Sequence, residues 1–223
     1  MHYRQEVAFF SKLLEPDCLC FDVGANIGEK TEVLFRSGAR VVAFEPQLDC
    51  MRKLEARCYN DRNKLYVCKK ALGAEAGEAV LNVHEFRGQA SLHENWGEGT
   101  LTQSLQVPVI TLDHAITEFG KPSYCKIDVE GWELEVLKGL TQPIPLLSFE
   151  YHLNQKHDID NALACLDYLS QFGDLSINIT PSSRLNSFTY QKWMSLEKFL
   201  RFFPNGFQGH EEYSYGDIYI RTN

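Results

Sequence analysis

The sequence predicts an α/β fold, a mostly parallel sheet flanked by helices, on three observations. Short apolar runs alternate with segments of helical period, the pattern of strands joined by crossover helices. The first apolar run, CLCFDVG, ends in an acid and a glycine that turn the chain into a helix. A chain of 223 residues with 44% hydrophobic and 12% aromatic content can also bury a full core.

The elements follow in order. CLCFDVG reads as a first strand, EKTEVLFRSG as a helix stopped by Gly38, and RVVAFEP as a second strand closed by Pro46. LDCMRKLEARCYN has helical spacing, and KLYVCKKALG reads as one third strand. From Gly73 to Pro108 the pattern changes. AVLNVHEF alternates like a half-exposed strand, GQASLHENWGEGTLTQ is polar and turn-rich, and VPVITL resumes a strand, so this stretch is an inserted hairpin and loop. Asp113 is placed to cap the helix DHAITEFG, and Pro122 precedes the fourth main strand, YCKIDVEG. Helix ELEVLKGL, strand PLLSFEYH, helix IDNALACLDYLSQFG and strand LSINIT come next. A helix over SLEKFLRFF and the strand DIYIRT close the chain. Trp193, Leu196, Phe199, Leu200 and Phe203 fall on one helical stripe, which suits a core helix or a homodimer contact. No repeat or linker divides these elements, so residues 1–223 are expected to form one domain with seven main strands.

Composition narrows the partners. A formal charge of −8 opposes a broad phosphate-binding surface, and nucleic acid is not expected as a ligand. No apolar run has the length of a membrane span, and MHYRQEVAFFSKLL lacks the features of a signal peptide, so a cytoplasmic protein with no membrane partner is expected. The seven cysteines are odd in number and form no CxxC pair or Cys/His spacing, which points to reduced thiols packed as small hydrophobes.

The first turn, Gly24-Ala25-Asn26-Ile27-Gly28, lets a ligand approach backbone amides beside Asp22. A carboxylate there makes an anionic pyrophosphate unwelcome and favours a cationic or neutral group. Glu45, about 23 residues on by the spacing usual for a ribose-binding acid, sits at the tip of the neighbouring strand and can accept both hydroxyls of a ribose. S-adenosylmethionine meets both conditions, with its cationic methionine end and its adenosine. NAD meets only the second, and the dinucleotide fingerprint GxGxxG is absent. The plainer reading, a strand-to-helix turn with a polar surface acid, stays open on these residues alone.

YCKIDVEGWELEVLKGL brings Asp128, Glu130 and Glu133 to the carboxyl end of the fourth main strand, with Gly131 and Trp132 beside them. Glu133 also suits the amino end of the following helix through the helix dipole. Glu150 ends LLSFE and is followed by Tyr151 and His152, so four strand tips converge on one rim.

Taken in order, FDVGANIGEKT, VVAFEP, VITLDHAI, KIDVEGWELEVLKG and LLSFEYH resemble the FkbM family of S-adenosylmethionine-dependent methyltransferases over roughly residues 18 to 155. The resemblance implies the Rossmann-like class I methyltransferase fold, with an antiparallel last strand, and by analogy assigns the remainder to its closing strands. It implies that Asp22, Gly24, Ala25, Asn26 and Gly28 hold the methionine end of the cofactor, that Glu45 with Pro46 holds the ribose, and that Lys70 and Ala71 lie by the adenine. Asp128 joins the cofactor set. No Asp or Asn stands near Lys70, so a backbone group would read the adenine amine.

Methyl transfer needs alignment and, for an alcohol, removal of a proton. The Asn/Asp-Pro-Pro-Tyr clamp of base methylation is missing from Asp128-Val129-Glu130-Gly131, which with the acidity favours a hydroxyl of a small molecule or sugar. His152 is the expected base, oriented by Glu150, with Asp128 as competitor. A magnesium ion on Asp128, Glu130 and Glu150 is the alternative route. Glu130, Trp132, and His93 and Trp96 of a lid over residues 87–99, are the expected acceptor contacts. A nicotinamide oxidoreductase and a non-catalytic nucleoside-binding module are the competing functions.

Overall fold

The computed structural model describes residues 2–58, 64–84, 90–92, 100–182, 186–207 and 209–222. Helix α1 (His2–Leu13) leads into strand β1 (Leu19–Val23), helix α2 (Glu29–Arg36), β2 (Arg40–Phe44), α3 (Leu48–Arg57) and β3 (Leu65–Cys68). The short β4 (Ala71–Leu72), β5 (Gly77–His84), β6 (Ala90–Ser91) and β7 (Leu101–Ile110) follow. Then come α4 (Leu112–Phe119), β8 (Tyr124–Ile127), α5 (Glu133–Lys138), β9 (Leu146–His152), α6 (Lys156–Ser170), β10 (Leu175–Pro181), β11 (Met194–Ser195), α7 (Leu196–Leu200) and β12 (Tyr215–Thr222).

The main sheet runs β11-β10-β12-β9-β8-β1-β2-β3. From β3 to β9 every pairing is parallel, and β12 enters antiparallel between β9 and β10. The central strands are buried on both faces: all four residues of β8 are inaccessible or nearly so, as are Cys20, Phe21, Asp22 and Val23 of β1. Strands covered by helices on both sides need this continuous apolar character. All seven cysteines are free thiols, and Cys20 and Cys125 lie with 0% exposure in β1 and β8.

Seven of these strands are the expected ones, and the last is antiparallel as expected. The eighth, β11, is a two-residue edge that pairs Ser195 and Met194 with Ser176 and Ile177. KLYVCKKALG is not one strand. It leaves the main sheet after Cys68, and β4 joins a second sheet of order β4-β7-β5-β6. This second sheet is the inserted hairpin, β5 against β7, packed on a small core of Ala71, Leu81, Val107 and Val109.

Local chemistry corrects two further expectations. Thr111, not Asp113, caps α4 by accepting from the His114 amide at 3.1 Å. Asp113 instead accepts from the Thr141 amide and hydroxyl, tying α4 to the loop after α5. The late aromatic stripe does not lie on one helix. α7 is five residues long, Phe199 stacks on Phe203 in the main core, and Leu200 is exposed. Trp193 joins a separate cluster and lies under the Arg221 guanidinium, 4.1 Å from its ring centre. The amino-terminal α1, for which sequence offered no role, inserts Phe10 against Tyr124 of β8.

The turn after β1 depends on Gly24, where φ is +80° and an added Cβ would lie 1.8 Å from the Asp128 carbonyl oxygen. Gly24→Ala should therefore cost more than about 3 kcal/mol in urea denaturation, since strain and a backbone clash add. Gly38→Ala, at φ +102° with nothing within 4 Å, should cost only the conformational part, about 1–2 kcal/mol. Equal losses in the two variants would contradict the close approach.

Candidate active site

Two turns at the carboxyl ends of β1 and β8 build the site. The first is sewn to β2, with the Gly24 and Ala25 amides donating to the Phe44 carbonyl at 3.0 and 3.1 Å. Glu45 completes the seam. Its Oε2 accepts from the Asn26 amide at 2.9 Å and its Oε1 from the Gln47 amide at 2.8 Å. Burial raises the Glu45 carboxyl to about 6, against those hydrogen bonds, which favour the charged form. Each oxygen keeps a further lone pair, so the carboxylate can still accept hydroxyls from a ligand. Gly28, also at positive φ, packs behind the turn against Leu54 and does not reach the cleft.

Asp22 is the clearest departure from the sequence reading. Its carboxylate has no exposure, accepts from the Thr31 hydroxyl at Oδ2, and does not line the cleft. Burial pushes its carboxyl up, opposed by Lys126 and Thr31. It lies beneath the glycine turn and braces α2 against β1, so direct contact with a ligand is not offered.

The second turn carries Glu130 at φ +54° and Gly131 at φ +87°. Glu133, 2% exposed, holds it by accepting from the Val129 and Gly131 amides at 3.1 and 3.2 Å, while Asn161 donates to its other oxygen. Its carboxylate therefore braces the turn and does not face a ligand. Asp128 bonds Lys126 at 2.6 Å. Burial works against the charge on Asp128, and the Lys126 ammonium overcomes it and holds the carboxyl below its ordinary value. Ser91 of β6 donates to the Glu130 carbonyl at 2.7 Å, which ties the inserted sheet to this turn.

Glu150, at the end of β9, is pushed well above the usual carboxylate range by burial and by the charges of Asp128 and Glu130. His152 Nε2 lies 3.1 Å from Glu150 Oε2, and its ring stacks on Tyr215 of β12 with centres 5.7 Å apart. Potential ligand atoms of Glu130, Glu150 and His152 lie within 4.8 Å of one another, so these three could hold a metal ion. Among the described residues the expected set, with Asp128 in place of His152, does not converge as closely, and Asp128 lies against Lys126.

The inserted sheet overhangs these turns and borders two adjoining open cavities that share Gly24, Asn26, Gln47, Ala90 and Asp128. The first is lined by Glu45, Pro46, Lys70, Ala71, Glu130 and Trp132 and closed by apolar side chains such as Leu72, Leu81 and Leu92. Trp132, expected to touch an acceptor, belongs to this end with Glu45, and its buried indole N–H has no partner among the described residues. The second cavity is lined by Ala25, Lys30, Lys126, Glu150, Tyr215 and Asp217 among others. His152 lies behind Glu150 and lines neither cavity. His93 and Trp96 lie outside the described residues.

Sequence reasoning missed Lys126, Lys30, Tyr215, Asp217 and His84 as cleft residues. Lys126 had a legible signal, since a lysine inside a buried strand needs a partner and Asp128 follows two residues later on the same face. The others come to the cleft from α1–α2 packing, from the antiparallel β12 and from the inserted hairpin, which local pattern does not position.

The sheet order, with β12 inserted antiparallel between β9 and β10, and a cleft at the carboxyl ends of β1, β2 and β8 define a class I methyltransferase fold. Residues 22–175 match the family described as methyltransferase FkbM domain, and the chain belongs to that family. Over 137 residues it is 30% identical to the hexuronic acid methyltransferase AglP of Haloferax volcanii, a match that covers 60% of this chain and 55% of that protein. The chain thus matches about half the length of that relative. An rRNA methylase of Streptococcus thermophilus superposes with a TM-score of 0.53 at 12% identity, covering 100% of this chain and 96% of the other. Fibrillarin of Aeropyrum pernix, solved with natively bound S-adenosyl-L-methionine, gives a TM-score of 0.52 at 9% identity over 98% of this chain and 75% of its own. These structural likenesses carry the fold and no more. Among the described residues no helix is long and apolar enough to cross a membrane.

The Glu45 proton gives a measurable signature. The folded protein holds it up to about pH 6 and the free side chain only to 4.5, so between these values the folded state binds more protons and stability falls as pH rises. At about 1.4 kcal/mol per unit the fall is about 2 kcal/mol. Urea denaturation about one pH unit below and one above that window should show wild type losing this amount relative to Glu45→Gln, in which the other carboxylates titrate unchanged. Parallel pH profiles would rule out a buried, proton-retaining Glu45.

Proposed function

We propose that the protein is an S-adenosylmethionine-dependent methyltransferase acting on a hydroxyl oxygen of a sugar. The observation that carries this reading is the joining of two unlike cavities at Gly24 and Asp128, one suited to a nucleoside and one lined by paired charges. The residues fit the cofactor. Glu45 retains lone pairs for the ribose hydroxyls, the slot by Pro46, Lys70, Ala71 and Trp132 suits an adenine, and Gly24 has no side chain where the two cavities meet. Asp128 and Glu150 supply negative potential toward a cationic methionine end.

When bound, S-adenosylmethionine supplies a methyl group on a cationic sulfur that leaves as a neutral thioether. Glu150, not His152, faces the second cavity, so a Glu150 carboxylate oxygen takes the proton of the acceptor hydroxyl. A positive charge in the cleft favours ionised Glu150, and loss of that charge on transfer leaves the carboxylate the stronger base at the moment the proton arrives. His152 is hydrogen-bonded behind Glu150 and orients it. The relative named for hexuronic acid supports a sugar acceptor. An acidic sugar would turn its carboxylate away from Asp128 and Glu150, toward Lys53 in the same cavity wall.

A metal-assisted route on Glu130, Glu150 and His152 is the second reading, favoured by their convergence within 4.8 Å. Dialysis against a chelator, followed by assay with and without added magnesium or manganese, separates the two. Turnover unchanged by chelation supports proton transfer to Glu150 alone.

Calorimetric titration should show S-adenosylhomocysteine binding and no NAD binding, and Glu45→Ala should weaken the former by about 1–3 kcal/mol. Unchanged affinity would remove Glu45 from the site. His152→Ala should lower kcat about tenfold or more while cofactor affinity stays at the wild-type value, consistent with loss of an orienting bond to the base. Wild-type turnover in that variant would dismiss the pair.

A further inference from the structure

We propose that Asp217, near the start of β12, is an acceptor-binding residue whose carboxyl takes hydrogen bonds from two adjacent hydroxyls of a sugar in the second cavity. The proposal rests on the methyltransferase reading above and assigns one residue of its acceptor site.

Three observations converge on it. Asp217 is only 5% exposed and lines the second cavity with Lys126, Glu150 and Tyr215. Its carboxyl makes no hydrogen bond or ion pair among the described residues, yet neither oxygen is shielded as Oδ1 of Asp22 is. A carboxyl withdrawn from bulk water with no partner is costly, so one that is kept calls for an explanation. Burial pushes it up, opposed by the charges of Lys30 and Lys126, and hydrogen bonds from a ligand would offset that burial. Finally, the register sets Asp217 directly opposite Glu150. Like charges facing across two strands destabilise a sheet, and stability alone would place an apolar residue there.

Place in the sheet selects acceptor over cofactor. The order β12-β9-β8-β1 puts Asp217 two strands, about 10 Å, beyond β8, with Glu150 on the strand between. The seam at Gly24 and Asp128 lies on one side of Glu150, so Asp217 meets what lies on the other, the part of the acceptor beyond its reacting hydroxyl. The two oxygens of one carboxylate sit side by side and both accept, so hydroxyls on neighbouring ring carbons can donate to them together. A phosphate has no such donors and would be repelled by Asp128, Glu150 and Asp217 around the same cavity. Tyr215, two residues earlier on the same face of β12, is 45% exposed and stacked by one face on His152. Its other face offers a flat apolar surface for the carbon side of a pyranose.

The test combines stability and binding on the full chain. Without ligand, Asp217→Asn should keep the wild-type Tm or raise it, because the carboxyl has no bond to lose. A Tm lowered by several degrees would reveal a structural partner and overturn the proposal. With S-adenosylhomocysteine present, titrations followed in the amide NMR spectrum should show wild type binding methyl β-D-glucopyranoside or methyl β-D-glucopyranosiduronate. Binding of neither overturns it. For the sugar that binds, Asp217→Asn should weaken affinity about tenfold while S-adenosylhomocysteine affinity stays unchanged. Unchanged sugar affinity overturns the assignment of Asp217 and leaves the methyltransferase reading intact, and weakened S-adenosylhomocysteine binding makes the residue a cofactor contact, which also overturns it. The 2-, 3- and 4-deoxy forms of that sugar supply a readout that a merely structural role would not move. Two adjacent deoxy positions should each weaken binding to wild type and cost less in Asp217→Asn. Equal costs in the two proteins overturn the pairing of carboxyl and hydroxyls. Wild type that does not bind S-adenosylhomocysteine overturns both this proposal and the methyltransferase reading.

Discussion

The contact on which the site depends is the backbone approach of Gly24 to Asp128, too close to admit even a methyl group. It brings the turns after β1 and β8 together so that two cavities share one seam. Each turn is then held by a buried glutamate accepting backbone amides, Glu45 for the first and Glu133 for the second. A carboxylate that accepts several N–H groups fixes loop geometry more firmly than any apolar contact of its size, because its hydrogen bonds are charge-assisted and shielded from water. The rigid sheet below and these two clamps above leave little freedom at the cleft.

Charge is concentrated beneath and beside that seam. Asp22, Lys126, Asp128, Glu150 and Asp217 are all wholly or largely withdrawn from water, and burial opposes the charged form of every one of them. Lys126 holds Asp128 ionised, while Glu150, with Asp128 and Glu130 beside it, is driven the other way. Neighbouring carboxyls pushed apart in proton affinity are the usual sign of groups with different chemical tasks. A stability argument alone would replace them with apolar side chains.

Much of this was legible in the sequence. The succession of strands and helices along the chain followed from alternation and from the acid-glycine turns, and Gly24, Asn26, Glu45, Pro46, Lys70, Ala71 and Asp128 came together as their positions at strand ends require. The Glu150–His152 bond was also foreseeable from spacing on one strand face. Which of the two meets the cavity was not, because that depends on how β12 packs Tyr215 over His152. The burial of Asp22 was hidden for a similar reason: its side chain turns toward Thr31 of the following helix, a choice made by tertiary packing. The split of KLYVCKKALG between two sheets likewise reflects β4 finding β7 as a partner 38 residues away in the chain, Ala71 against Val109.

The inserted sheet leaves and rejoins the main fold side by side, Ala71 opposite Val109 and Leu72 opposite Ile110, with Gly139 packed tightly beneath Gly73. A loop whose two ends are pinned together can be exchanged for another of different length with little disturbance to what lies below. Recombination at those two neighbouring points would replace at one stroke the Leu81 and Leu92 cover of the first cavity and the Val83 and His84 wall of the second, while the main sheet beneath stays as it is.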